Sequence, residues 1–265
     1  MAGKDRKKQL ARQRYERQQA RRAAEARRAR RLQIIGAIAA VAVIAGGTAG
    51  IVKLAGGDDD AAANADAAPS TPPPEDGTPK QEITLQKVAV ETAAGGGSAR
   101  CKYPDSETDE DPPKNLGKPP AVAAYSGKVK ATIKTNLGDI GLELDADKAP
   151  CATNSFAFLA GKKFFDKTKC HRLTTSDSLK VLQCGDPTGT GLGGPGYSFA
   201  DENTKGAKYT KGVLAMANSG PDTNGSQFFI VYDDSELPPS YTIFGKITSG
   251  MEVVEKVAKA GVAAE

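Results

Sequence analysis

The stretch GVLAMANSGPDTNGSQFFI, Gly212 to Ile230, reads as a strand, a turn and a second strand. GVLAMAN and the following SQFFIVY are apolar runs of strand length. The SGPDTNG between them holds the Gly, Pro, Asp and Asn that punctuate a chain. Asn224-Gly225 marks a tight turn just ahead of the second strand. Successive strand side chains point to opposite faces, so one of Phe228 and Phe229 faces a core and the other a surface.

The same rhythm extends outward. KVKATIKT and GDIGLELD alternate with period two around the turn-like Asn136-Leu137-Gly138, which predicts a hairpin. APCATNSFAFLAGKKFF sets Pro150 near a helix start and spaces Phe156 and Leu159 as a helix does. CHRL and LKVLQC read as short strands, GDPTGTGLGGPGYSF as a long glycine-rich loop, TIFGKI as a strand and GMEVVEKVAKA as an amphipathic helix. The class is mainly β: a closed antiparallel β-barrel of about eight strands capped by two α-helices, closure being what removes exposed edges. Within it, KCHRL places the chain's one histidine, His171, beside Arg172 on a strand, so the two face opposite ways.

Charge is segregated. Residues 1–31 hold thirteen Lys and Arg against three acids, a net +10, so the rest is net −6 within an overall +4. A one-signed block at one end is a targeting or partner signal. The 21 uncharged residues that follow, 32–52, would span about 31 Å as a helix, close to a bilayer's hydrocarbon thickness. The positive-inside rule then gives a single-pass cell-membrane protein with a cytoplasmic N-terminus. Its parts are a basic cytoplasmic segment (1–31), whose RRAAEARRARR stretch is expected to form a basic helix at the inner membrane surface, a transmembrane anchor (32–54), a low-complexity linker expected to stay disordered (55–126) and a folded domain outside the cytoplasm (127–265). A signal peptide cleaved near Ala63-Asn64-Ala65 is the alternative, against which the long basic region and long apolar run both argue. Nucleic-acid binding is set aside, because the adjoining apolar run accounts for the charge.

Four cysteines, Cys101, Cys151, Cys170 and Cys184, fall on the outer side, an even number that suggests disulfides, with buried thiols as the alternative. Adjacent Cys170 and His171 cannot easily aim at one ion, so no metal site is expected. GTGLGG, Gly189 to Gly194, matches G-x-G-x-x-G literally, but Pro195-Gly196 follow where a dinucleotide site needs a helix. No hydrolase constellation emerges, with one histidine and no G-x-S-x-G.

FFDKTKCHRL, LQCGDPTGTGLGGPGYSFADE, GVLAMANSGPDTNGSQFFI and YTIFGKITSGMEVVE together resemble the cyclophilin family of peptidyl-prolyl cis-trans isomerases, in order and spacing, over about residues 127–260. The N-terminal anchor and linker are similar, more weakly, to those of membrane-tethered actinobacterial members. The resemblance implies isomerisation of X–Pro bonds in exported proteins, without cofactor, by a monomer whose partners are proline-containing polypeptides and, through residues 32–52, the membrane. The alternative is a peptide-binding or holdase module with little isomerase activity.

By the same resemblance Arg172 is the catalytic arginine, His171 is structural, and Gln183 helps hold Arg172. Ala217, Asn218 and Ser219 would grip the peptide backbone. Gln227 and Phe229 would be the groove glutamine and the floor of the proline pocket, and Leu237 a pocket wall. Departures are Lys180 where the family often has phenylalanine, Glu236 for tryptophan, Tyr241 for a rim histidine, and a longer loop in TTSDS. Lys180 is expected to weaken or redirect proline binding. Family members usually end in a further strand after the last helix, and DGTPKQEITLQKVAV, 76–90, looks like that ending. Residues 83–90 are therefore expected beside 128–134, as in a circular permutation of one strand; a vestigial linker is the alternative. Cys170 and Cys184 bracket the Arg172 hairpin, which favours the pairings Cys170–Cys184 and Cys101–Cys151.

Overall fold

The structure, a computed structural model, describes residues 76–91, 96–109 and 112–263. The basic segment 1–31, the anchor 32–54 and the first part of the linker lie outside the described residues. Among the described residues, no helix is long and apolar enough to cross a membrane.

The domain is mainly β, an antiparallel sheet with two helices. Its strands are β1 (Asp76–Gly77), β2 (Thr84–Val90), β3 (Lys128–Thr135), β4 (Gly138–Asp145), β5 (Thr168–Lys169), β6 (Arg172–Thr174), β7 (Val181–Cys184), β8 (Val213–Met216), β9 (Phe228–Val231) and β10 (Ile243–Ser249); its helices are α1 (Pro150–Gly161) and α2 (Met251–Ala260). The order across the sheet is β1-β6-β7-β9-β8-β10-β4-β3-β2-β5. β5 and β6 stand at opposite ends of that order, yet only Cys170 and His171 separate them in sequence. Cys170 N–H donates to the Ile83 carbonyl (3.1 Å) and His171 N–H to the Gln183 carbonyl (3.1 Å). The sheet therefore curls until its two ends meet on the run 168–174. That run counts as two strands and β1 adds two residues, hence ten strands where about eight were expected.

Alternation builds the hairpin of β3 and β4. Val129, Ala131 and Ile133 turn inward, while lysines on the other face stand opposite acids: Lys128 pairs with Asp145, Lys130 with Glu143, Lys134 with Asp139. Opposite charges in cross-strand register are a modest stabilising term. α1 has Pro150 in its first turn and no side-chain cap of its own. Glu202 replaces the cap, its carboxylate accepting from Cys151 N–H (3.0 Å) and Ala152 N–H (2.9 Å). An anion there meets both the unpaired donors and the positive end of the helix. α1 sends Phe156 into the core, where its ring lies 5.1–5.5 Å from those of Phe165, Phe228 and Phe244. α2 buries Val253, Val254 and Val257. It starts at Gly250, whose φ is +80° and whose added Cβ would fall 2.2 Å from the Asp139 carbonyl oxygen, so glycine is required.

Residues 84–90 form β2, antiparallel to β3 along one edge and to β5 along the other. Leu85 and Val88 both face the core, three residues apart, because a bulge at Leu85–Lys87 inserts one residue. Asn136 holds the start of β2, accepting from Thr84 N–H (2.8 Å) and donating to the Glu82 carbonyl (3.1 Å).

The linker expectation differs over 96–126. Regular structure there is limited to isolated bridges such as Arg100↔Val122, but the stretch packs onto the domain. Cys101 is bonded to Cys151. Tyr103 is buried edge-on to Tyr197 (5.3 Å) and Phe199 (5.7 Å). Buried Asn154 donates to Tyr103 Oη (3.1 Å) and the Pro120 carbonyl (2.9 Å) and accepts from Ala124 N–H (3.1 Å), tying both limbs to α1. One disulfide, one aromatic anchor and one amide order a segment whose average composition reads as a linker.

β2 sets a testable requirement. A chain cut to residues 127–265 loses Ile83, Leu85 and Val88 from the core and bares the edge of β3. At about 1.5–3 kcal/mol per buried apolar side chain the loss is roughly 5–9 kcal/mol, comparable with a whole domain's ~5–15 kcal/mol. Thermal unfolding followed by circular dichroism should be cooperative for 76–265 and absent for 127–265.

Candidate active site

Cross-strand register places one row of side chains on the outer face of the sheet. Arg172 on β6 stands opposite Gln183 on β7, Gln183 opposite Phe229 on β9, and Phe229 opposite Ala215 on β8. Their strand neighbours Leu173, Leu182, Phe228, Ile230 and Leu214 join the main core instead. Arg172 thus lies two strand spacings, about 10 Å, from Phe229.

A polar chain runs along this row. Arg172 Nη1 donates to Gln183 Oε1 (3.2 Å), and Gln183 Nε2 to Gln227 Oε1 (2.8 Å). Gln227 Nε2 donates to the carbonyls of Gly191 (3.0 Å) and Gly193 (2.9 Å). On its other edge the guanidinium meets Asp76, with Nε to Oδ1 at 2.8 Å and Nη2 to Oδ2 at 2.7 Å. Asp76 was not among the expected site residues. DGTPK reads only as a strand approach, and nothing in sequence spacing links it to Arg172.

The glycine-rich loop serves this chain. Asp186 organises it, accepting from Thr188 N–H (2.7 Å) and Gly191 N–H (2.5 Å). A Cβ on Gly193 would fall 2.1 Å from Asp186 Oδ1, and one on Gly194 would fall 2.3 Å from the Asp109 carboxylate. Glycine is needed there for close approach by carboxylates, the opposite of what a phosphate cradle requires. Asp109 accepts from Gly196 N–H (2.7 Å), and its burial raises its pKa above the usual carboxylate value.

Beside the polar chain is an apolar cluster. Phe229 is packed by Tyr241 (5.6 Å) and Tyr209 (6.2 Å), which also contact each other (6.0 Å). Val181, Ala215 and Val231 complete the cluster, with Ala217 and Leu237 against its edge. Tyr209 was missed by the sequence analysis, its short KYT context carrying no strand or motif signal. Its hydroxyl donates to the Tyr241 carbonyl (2.9 Å) and accepts from Tyr241 N–H (2.9 Å), which fixes the rim.

Two expected residues are placed differently. Lys180 does not join the cluster: its Nζ pairs with Asp233 at 3.1 Å, in a charged groove shared with Lys211, Tyr232 and Glu255. Alternation explains this, since Val181 and Gln183 share the outer face and Lys180 falls out of phase. Val181 supplies the wall in its place. Ser219 N–H is taken by Thr223 Oγ1 (2.8 Å), so it offers a peptide no donor. Ala217 N–H is taken by the Gln227 carbonyl (2.9 Å), and the Asn218 side chain donates to the Ser240 carbonyl (2.8 Å). Glu236 is exposed, its N–H donating to the Ser178 carbonyl (2.8 Å), so the longer TTSDS loop docks on this side of the cluster. Cys170 and Cys184 are bonded, closing the hairpin behind Arg172.

The fold and this site define a curled antiparallel β-sheet protein with an aromatic cluster beside a hydrogen-bonded guanidinium. Residues 130–265, about half the chain, match the family model described as cyclophilin type peptidyl-prolyl cis-trans isomerase/CLD, and the chain belongs to that family. It is 50% identical over 176 residues to the probable peptidyl-prolyl cis-trans isomerase B of Mycobacterium leprae, covering 62% of this chain and 60% of that protein. The chain thus spans less than two thirds of that relative's length. It is 43% identical over 138 residues to peptidyl-prolyl cis-trans isomerase-like 3 of Dictyostelium discoideum, covering 49% of this chain and 83% of that one. A crystal structure of a cyclophilin type isomerase from Cryptosporidium parvum aligns with a TM-score of 0.45 at 36% identity, covering 53% of this chain and 88% of that one.

His171, behind Arg172, has its ring nitrogens buried beneath the glycine loop. Burial holds its pKa below the ordinary value of 6.5; Asp186 pulls it up and Arg172 pushes it further down. The folded state therefore favours the neutral ring. Its contribution to stability is complete above the unfolded value, about 6.5, and is lost as pH falls below it. Half-buried Asp109 and Glu202, whose pKa values desolvation raises, act in the opposite sense. They are common to both proteins in a comparison with His171→Gln. Between pH 7 and 5, Tm should fall more steeply for the wild type than for His171→Gln.

Proposed function

We propose that the chain accelerates cis-trans isomerisation of X–Pro bonds in polypeptides by holding the amide in its twisted form. A peptide C–N bond resists rotation by roughly 18–20 kcal/mol through resonance. The two X–Pro isomers are close in energy yet exchange in tens to hundreds of seconds. At the twisted geometry resonance is lost and the prolyl nitrogen regains a lone pair. A donor aimed at that nitrogen stabilises the twisted state more than either planar form, which is the condition for a faster rate. The proline ring seats on Phe229 between Tyr241, Leu237 and Val181. Gln183, held by Gln227, turns its second Nε2 hydrogen to the substrate carbonyl, and the main chain at Ala217–Asn218 runs beside the peptide. Arg172 is the catalytic donor, cationic throughout the physiological range. The observation that carries this reading is the single outer-face row Arg172–Gln183–Phe229. No nucleophile or cofactor enters the chemistry.

The finer reading is of a monomeric single-pass protein, tethered through residues 32–52, acting on exported polypeptides. The uncharged run behind a basic segment supports the tether, and two disulfides support an oxidising compartment.

Arg172→Ala tests the mechanism. Isomerisation of a proline tetrapeptide should lose at least about 100-fold in kcat/KM. Peptide affinity, measured by calorimetry, should change less than about threefold, because the apolar cluster is intact. Retention of the wild-type rate would remove Arg172 from the mechanism, and a wild type that binds the peptide without accelerating its isomerisation would leave only a peptide-binding module.

A further inference from the structure

We infer that Asp76, 96 residues ahead of Arg172 in the chain, is the positioning residue that fixes the catalytic guanidinium. The inference rests on the isomerase reading above and adds a residue outside the matched family region, which begins at 130.

The contact is two-pronged. Nε donates to Asp76 Oδ1 (2.8 Å) and Nη2 to Oδ2 (2.7 Å), while Gln183 Oε1 takes Nη1 (3.2 Å). A carboxylate fork on one edge and an amide at the third nitrogen fix both the plane of the guanidinium and its rotation in that plane.

The backbone around Asp76 is held for this purpose. β1 pairs with β6 as Asp76↔Thr174 and Gly77↔Leu173, which sets Asp76 diagonal to Arg172. Behind it, residues after α2 clamp the segment: Ala263 N–H donates to the Thr78 carbonyl (2.8 Å) and Lys80 N–H to the Gly261 carbonyl (2.9 Å). A Cβ on Gly77 would come within 2.7 Å of Val262 Cγ1, so the clamp fits closely. The pair itself is half open to solvent, the side chains being 30% and 47% exposed. An ion pair so exposed adds little to stability. Its consequence falls on where Arg172 points, not on whether the domain folds.

The test uses the full chain, with kcat and KM on a proline tetrapeptide and the NMR resonance of the Arg172 Nε–H. Asp76→Ala should lower kcat about 10- to 100-fold through misplacement of the donor. KM should stay within twofold, Tm nearly unchanged, and the Nε–H signal should shift. Asp76→Asn, the same shape with one acceptor oxygen, should fall between, and it serves as the reporter if the alanine variant does not fold. In an Arg172→Ala background, Asp76→Ala should cost nothing more, since it acts through the arginine. An unchanged kcat, a raised kcat (the carboxylate masking the guanidinium), or an undiminished loss in the Arg172→Ala background overturns the inference. A wild type without activity overturns the isomerase reading and this inference with it. An active wild type indifferent to Asp76→Ala overturns this inference alone.

Discussion

The run 168–174 has to satisfy two sheet edges at once. Its first residues pair with β2 and its last with β7, and the crossover falls at Cys170-His171. A strand in that position cannot slip by one residue without breaking both ladders and turning every side chain to the wrong face. The Cys170–Cys184 bond, spanning 14 residues, adds a covalent stop worth about 3 kcal/mol in the chain-entropy account. Arg172 is the first residue after the crossover. The face of the sheet from which its side chain leaves is therefore set by closure, and the side-chain contacts fix the guanidinium beyond that.

From that fixed point the site is assembled by alternation. The outer row Arg172, Gln183 and Phe229 is polar at one end and aromatic at the other, while the inner row is uniformly apolar. The glycine loop lies over the polar end and lends it two carbonyls. Two carboxylates, buried Asp186 and half-buried Asp109, hold the loop in shape. The loop is thus the far support of the amide chain that ends at the guanidinium. His171 sits under the same loop, where burial favours its neutral form.

Much of this was legible in the sequence because it depends on period and punctuation. The alternation in KVKATIKT and GDIGLELD, the Asn224-Gly225 turn and the spacing of Val253, Val254 and Val257 all report short-range geometry. Arg172 and Gln183 could be named from resemblance, and their register across two strands follows from a single short hairpin. Lys180 was misplaced because resemblance assigns a position but not a phase; one residue out of step with Gln183, it turns to Asp233. Tyr209 and Asp76 went unseen for a different reason. Each reaches the site through tertiary closure alone, one from an irregular segment and one from a two-residue strand far away in sequence. The strap 96–126 was read from its average composition, which conceals how much order Cys101, Tyr103 and its contacts with Asn154 impose.

The placement of Lys180 changes what the cluster can select. With no aromatic from the start of β7, the second and third rings come from Tyr209 and Tyr241, locked to each other by a reciprocal pair of hydrogen bonds. A wall built from two tyrosines whose backbone and hydroxyl are mutually committed is stiff, and stiffness favours one flat ring over a long flexible side chain. Lys180 and Asp233 line the neighbouring charged groove, with Lys211 and Glu255 close by. The aromatic wall and the charged groove are separate surfaces, since Tyr209 and Tyr241 lie outside β7 and Lys180 immediately precedes it.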